Sequence, residues 1–188
     1  RYTIQNAIHD KAGLGFQVEH NGPKNVTDEM DSSIYETETH MLKVLDIILN
    51  KSYHKLGFQN GKGQTYEGLL TTSSIQMAQK YYELLSKVKK GETSLKISEK
   101  IKQVLPDFPK FAITYSVTEN EEGSHVNQEK MQQSLDDYNR GFGTQYELAQ
   151  IQGYNANLNK RLARKEPKFK SRSEQLDLVI VVDRLLTG

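Results

Sequence analysis

Near its C-terminal end the chain reads "LDLVIVVDRLLTG" (176–188), and this run constrains the fold more than any other segment. Val179, Ile180, Val181 and Val182 are consecutive β-branched residues, which favour extended backbone. They leave no polar face, so such a strand belongs to a sheet covered on both sides. Two more segments read as strands: "YEGLLTTSS" (66–74), which runs into small hydroxyl residues, and "KFAITYSV" (110–117).

Between them the period changes. "IQMAQKYYELLSKVKK" (75–90) sets Met77, Ala78, Tyr81, Leu84, Leu85 and Val88 on one face of a helix. "NQEKMQQSLDDYNRGFG" and "TQYELAQIQGYNANLNKRLARKE" read as two further helices with fewer apolar positions. Strand, helix, strand, helices, strand is the pattern of a mostly parallel α/β sheet with crossover helices. Upstream, residues 1–63 read as a connector with one strand-like piece and a long amphipathic helix over 28–50. Asp28 is its expected N-cap, with an early break allowed. The glycines of "GFQNGKGQ" end that helix, and the sheet-forming part occupies 64–188.

A chain of 188 residues can bury one real core. Its 25 basic and 24 acidic residues nearly cancel, so contact with a polyanion or a membrane has to come from a local patch. There are no cysteines, as is usual in the cytoplasm, and no apolar stretch long enough to span a bilayer. The first residue is Arg1 rather than Met, so a piece of a longer chain is expected.

In open α/β sheets, ligands sit outside the carboxyl ends of the strands. That rule singles out Thr71, Thr72, Ser73 and Ser74 after the first strand, and Asp183 to Gly188 after the third. The hydroxyls suit a phosphate at the N-terminus of the following helix, though composition alone favours plain capping of that helix by Ser73 or Ser74. "VIVVD" invites comparison with a Mg²⁺-holding strand end, but that chemistry needs a G-x-x-x-x-G-K-[ST] partner. "GFQNGKGQT" fails, since Leu56 stands where the first Gly belongs and Gly63 follows Lys62. Asp183 is then expected as a strand-end hydrogen-bond acceptor.

The five histidines have no metal-ligand spacing, and there is no G-x-S-x-G elbow. "KVKKGETSLKISEKIK" (87–102) reads as a solvated helix face. "NKRLARKEPKFKSR" (159–172) carries Lys160, Arg161, Arg164, Lys165, Lys168, Lys170 and Arg172 against Glu166. It is either a DNA-contacting patch or a solvated helix end followed by a Pro-marked loop.

The wording of several segments goes further. "LDLVIVVDRLLTG" resembles motif V of the R subunit of type I restriction endonucleases, and "LLTTSSIQMAQKYYELL" looks like that family's motif IV region. "RYTIQNAIHDKAGLGFQVEH" is similar to the segment joining its two motor lobes, and "FAITYSVTENEEG" and "MQQSLDDYNRGFGTQY" also fall in order.

The resemblance covers nearly the whole chain. It implies the second RecA-like (P-loop NTPase-type) lobe of a superfamily 2 DNA translocase, incomplete at its C-terminus, with the connector before it. It also implies ATP and Mg²⁺ in the cleft with the first lobe, duplex DNA as substrate, and the methylation and specificity subunits as partners. Thr71 to Ser74 would contact DNA, and Leu186, Thr187 and Gly188 would lie where DNA and the interlobe cleft meet. The segment has no P-loop, Asp-Glu-x-His box, nuclease carboxylates or motif VI, so alone it is expected to be inactive and to bind no cofactor. Arg184 stands where an apolar residue is expected, facing solvent or DNA. Two alternatives stay open: another superfamily 2 helicase or translocase, and a non-enzymatic nucleic-acid-binding α/β module.

Overall fold

The computed structural model describes residues 37–52, 67–117 and 124–182. The chain divides into two units, Arg1–Ile34 and Tyr35–Gly188, and every described residue belongs to the second.

Helix α1 (Glu38–Asp46) begins at Thr37, whose backbone is extended and whose hydroxyl accepts the His40 N–H at 3.3 Å. A residue in that conformation caps a helix and ends it in the upstream direction. The described helix starts here, and residues 28–36 of the expected helix, with its Asp28 cap, lie outside the described residues. α1 continues into a π turn, Ile47–Lys51, and Met41, Leu45 and Leu49 are buried at i, i+4 and i+8. Asn50 pins the turn to a distant loop: its amide donates to Lys96 O and its carbonyl oxygen accepts the Ser98 N–H, both at 2.9 Å.

The sheet has strands β1 (Gly68–Thr72), β2 (Phe111–Thr114) and β3 (Leu178–Val182), in the order β1-β3-β2 and all parallel. Gly68 and Phe111 both stand opposite Leu178, while Thr72 faces Val182 and Thr114 faces Val181. All five residues of β3 are buried, as its unbroken apolar run requires. β1 departs from the expected buried strand. With one partner strand among the described residues it alternates, and Leu69 is 59% exposed beside exposed Thr71.

Helix α2 (Ile75–Lys90) has the bounds read from the sequence, for local reasons at each end. Ser74 accepts the Met77 N–H at 3.2 Å, and Gly91 closes the helix at φ 77°. A Cβ in that left-handed conformation costs roughly 1–2 kcal/mol, so glycine is the residue that stops the helix cleanly. Consequently the 87–102 stretch is not one helix face. α2 ends inside it, Ile97 turns into the core, and α3 (Glu99–Val104) restarts only after Ser98 caps it and buries Ile101.

α2 lies on the face that carries Leu70 and Phe111, where Tyr82 meets the Phe111 ring edge-on at 5.1 Å between centroids. α4 (Ser124–Phe142) packs beside β2 and α2 and is joined to α2 by Tyr82–Asp137 (2.8 Å) and Lys130–Glu83 (2.6 Å). α5 (Ile151–Ala163) serves the opposite face. Thr114 Oγ1 donates to Asn155 at 2.7 Å, and the Tyr154 hydroxyl donates to Ile113 O at 2.8 Å. Each fully buried aliphatic side chain of this core contributes about 1.5–3 kcal/mol, and β3 supplies five of them.

At the base of the sheet, where the strands begin, Asp177 ties all three together. Its backbone N–H donates to Lys110 O (2.7 Å), its carbonyl accepts the Gly68 N–H (2.8 Å), and its carboxylate accepts the Lys110 N–H (2.7 Å). Arg172 donates to both carboxylate oxygens, at 2.5 and 2.8 Å, and also to Asp107 at 3.0 Å. Asp177 is 1% exposed, so Asp177→Ala would leave the half-buried Arg172 guanidinium with Asp107 alone and would take the acceptor from the Lys110 N–H. The expected loss is about 3–5 kcal/mol, read by chemical denaturation; a loss below about 1 kcal/mol would deny it this role.

Burial raises the phenol pKa of Tyr81, Tyr115, Tyr138 and Tyr154; for Tyr82 the raise comes from burial first and then the Asp137 charge. Both states keep these protons below about pH 10, so stability is complete there. Above it the unfolded chain ionises first, and stability falls as pH rises through the folded values. Tyrosinate absorbance from these five should therefore appear together with loss of circular dichroism. Their ionisation near pH 10 in a chain that stays folded would contradict this burial.

Candidate nucleic-acid interface

Parallel pairing sends the carboxyl ends of all three strands to one rim. Thr72 is in register with Val182, so the loop after β1 and the chain leaving β3 start as neighbours. Leu186, Thr187 and Gly188, with Asp183 and Arg184, lie outside the described residues.

The four hydroxyls after β1 have different surroundings. Thr72 is 5% exposed, and its hydroxyl is directed to backbone carbonyls, Ser74 O at 3.0 Å and Val181 O at 3.3 Å. That bond fastens the loop to the central strand, and it takes up the donor that a phosphate would want. Ser74 caps α2. Thr71 and Ser73 are exposed, and strand alternation sets Thr71 on the face opposite Thr72.

Behind this rim is a polar network that has no motif to announce it. Gln79 Nε2 donates to the Tyr115 hydroxyl (3.0 Å) and to Asn127 Oδ1 (2.9 Å), and Tyr115 donates to Asn127 O (2.8 Å). All three residues are buried, so the bonds join α2, the end of β2 and α4 in a low-dielectric setting where each is strengthened. They hold the first turns of α2, and with them the Thr71–Ser74 loop, against the rest of the lobe. The available signal was Gln79 itself, a polar residue between the apolar positions Ala78 and Tyr81.

The basic stretch divides in two, and three of its seven expected DNA contacts need correcting. Arg161 is 0% exposed. Its guanidinium lies 3.7 Å from the Phe142 ring centroid and donates to Glu174 at 2.6 Å and to the Tyr138 hydroxyl at 2.9 Å. Arg164 forms an ion pair with Glu67 at 2.5 Å and donates to Leu176 O at 3.1 Å, and Arg172 is the partner of Asp107 and Asp177. These arginines brace the chain that leads into β3. No phosphate reaches the Arg161 guanidinium, and the other two are engaged by carboxylates.

Lys160, Lys165, Lys168 and Lys170 are exposed, with Lys160 3.4 Å from Glu166. Because Arg164 holds Glu67, just before β1, this segment lies toward the amino ends of the strands. The lysines and the rim hydroxyls therefore belong to opposite edges of the sheet.

The described hydroxyls do not form the glycine-and-lysine cradle that a Mg²⁺-bound triphosphate needs. No group of three or more His, Asp or Glu among the described residues could hold a metal ion. No helix among them is long and apolar enough to cross a membrane.

A small parallel sheet flanked by helices, with its polar strand-end loops on one rim, is compatible with a RecA-like lobe. The chain belongs to the family of type I restriction enzyme subunit R, domain 3, whose family model matches residues 64–188. The resemblance read from the sequence is thereby established at the level of the R subunit. No curated protein matches the chain.

Arg161→Ala should cost about 3–5 kcal/mol by chemical denaturation, because it leaves the Glu174 carboxylate without its cation and the Tyr138 hydroxyl with only its bond to Asn157. Lys165→Ala, Lys168→Ala and Lys170→Ala should each change stability by less than about 0.5 kcal/mol. Equal effects from the two groups would return Arg161 to the surface patch.

Proposed function

We propose that this lobe is part of the ATP-dependent DNA-translocating motor of a type I restriction enzyme R subunit, and that its share of the work is to hold the duplex backbone. The observation that carries this reading is the parallel register of β1 beside β3, which sets Thr72, where the hydroxyl loop begins, level with Val182, the last described residue before Asp183 to Gly188. A motor must grip DNA of any sequence, so its contacts go to phosphates rather than base edges. Exposed Ser73 and Thr71 supply hydroxyl donors, and the N-terminal end of the α2 dipole favours an anion beside them. Thr187 and Gly188 would extend the same line from β3, Gly permitting close backbone approach.

ATP and Mg²⁺ belong in this reading to the parent subunit, in the cleft toward the first motor lobe, and the methylation and specificity subunits set where the complex stands on DNA. Thr72 serves the grip indirectly, by fixing the loop that bears Ser73 to the central strand. The four exposed lysines, on the far edge of the sheet, are not part of it.

In the full R subunit, Ser73→Ala should slow translocation about tenfold, the effect of one lost charge-assisted hydrogen bond, while leaving the melting temperature of the lobe unchanged. The chain alone should hydrolyse no ATP and bind duplex DNA feebly. Wild-type translocation by the Ser73→Ala subunit, or tight and steeply salt-dependent DNA binding by the chain alone, would overturn the assignment.

A further inference from the structure

At the base of the sheet, away from the hydroxyl rim, a cavity of about 240 Å³ opens between the C-terminal ends of α2 and α4. Tyr82, Phe111, Tyr138 and Phe142 give it aromatic walls, and Lys89, Lys90 and Lys110 bring it three ammonium groups. Its single lining carboxylate, Asp137, already accepts the Tyr82 hydroxyl and pairs with Arg140. Lys89 donates to Pro109 O at 3.0 Å, and Lys110 to Ser173 O at 2.5 Å while lying 4.7 Å from the Phe142 ring centroid. Lys90 makes no hydrogen bond or ion pair among the described residues. Burial, opposed by Asp107, pulls the ammonium groups of Lys89 and Lys110 below the ordinary lysine range. An anion entering the cavity would relieve that cost.

A second observation comes from Gly141, which also lines the cavity. It sits within α4, where glycine is a poor helix former, and a Cβ there would meet nothing within 4 Å. Its φ is not in the left-handed region that demands glycine. The helix surface is therefore open toward the cavity at this position, with room for close approach to its backbone.

The geometry points to a binding site for a nucleoside phosphate, with its flat ring against Phe111 and Tyr82 and its phosphate on Lys90 and Lys89. Aromatic faces accept any base, and ammonium groups act as point charges for phosphate. The site stands apart from the DNA grip proposed above, and neither depends on the other. A free mononucleotide and the phosphorylated end of a strand share this chemistry.

The test uses the 188-residue chain, titrated by calorimetry with AMP, adenosine, inorganic phosphate, and a tetranucleotide with or without a 5′-phosphate. AMP, the 5′-phosphorylated tetranucleotide or both should saturate the chain. Adenosine and phosphate should each bind at least about tenfold more weakly, since each keeps only half of the recognition. Saturation by AMP marks the free nucleotide, and saturation by the phosphorylated strand alone marks a strand end. Gly141→Leu sets a side chain at the cavity wall, its Cβ meeting nothing within 4 Å, and should weaken binding at least about tenfold; Lys90→Ala should weaken it about fivefold, and Lys165→Ala not at all. Should Gly141→Leu fail to fold, Lys90→Ala decides alone. No saturation by either phosphorylated probe, or binding that Lys90→Ala leaves intact, overturns the site.

Discussion

Asp177 is the residue on which the described sheet depends. Its carboxylate, N–H and C=O, on a residue 1% exposed, bond to Gly68, which begins β1, and to Lys110, just before β2, while the next residue begins the central strand. Desolvating a carboxylate costs several kcal/mol, and it is tolerated here because two guanidinium donors and a backbone N–H meet it. Register follows: with Gly68 and Phe111 both opposite Leu178, the strands start level and their carboxyl ends come out on one rim. Every functional statement about that rim inherits the alignment made at the other end of the strands.

The architecture was legible because its signals are local. β3 announces itself by four consecutive β-branched residues, and α2 by a serine cap and a glycine stop at its two ends. The parallel arrangement followed from alternation of strands and helices. The exposure of β1 was not legible, because an edge strand and a central one can have the same apolar letters. The lysine-rich stretch misled for a different reason: charge density suggested one continuous face, while Gly91 and the buried pair Ile97 and Ile101 broke it.

The site was less legible than the fold, since side chains of one type divide by what surrounds them. Seven basic residues in fourteen looked like a single patch. Yet Tyr154, Leu158 and Arg161 stand at i, i+4 and i+7 on α5, and all three are buried. An arginine in phase with an apolar stripe is the signal that would have separated it from the exposed lysines. The hydroxyl cluster divided in the same way, Thr72 and Ser74 holding the loop while Thr71 and Ser73 remain open.

The strand order β1-β3-β2 has a consequence for how the lobe comes into being. Among the described residues the two outer strands touch no strand but the central one, and that one is the last of the three to leave a ribosome. Until residue 178 or so has emerged, β1 and β2 have no strand between them, and their apolar faces must wait. Closing loops of this length before any ladder forms is slow, and waiting hydrophobic strands invite aggregation. The helices, whose contacts are nearer in sequence, are what can shelter those strands in the meantime.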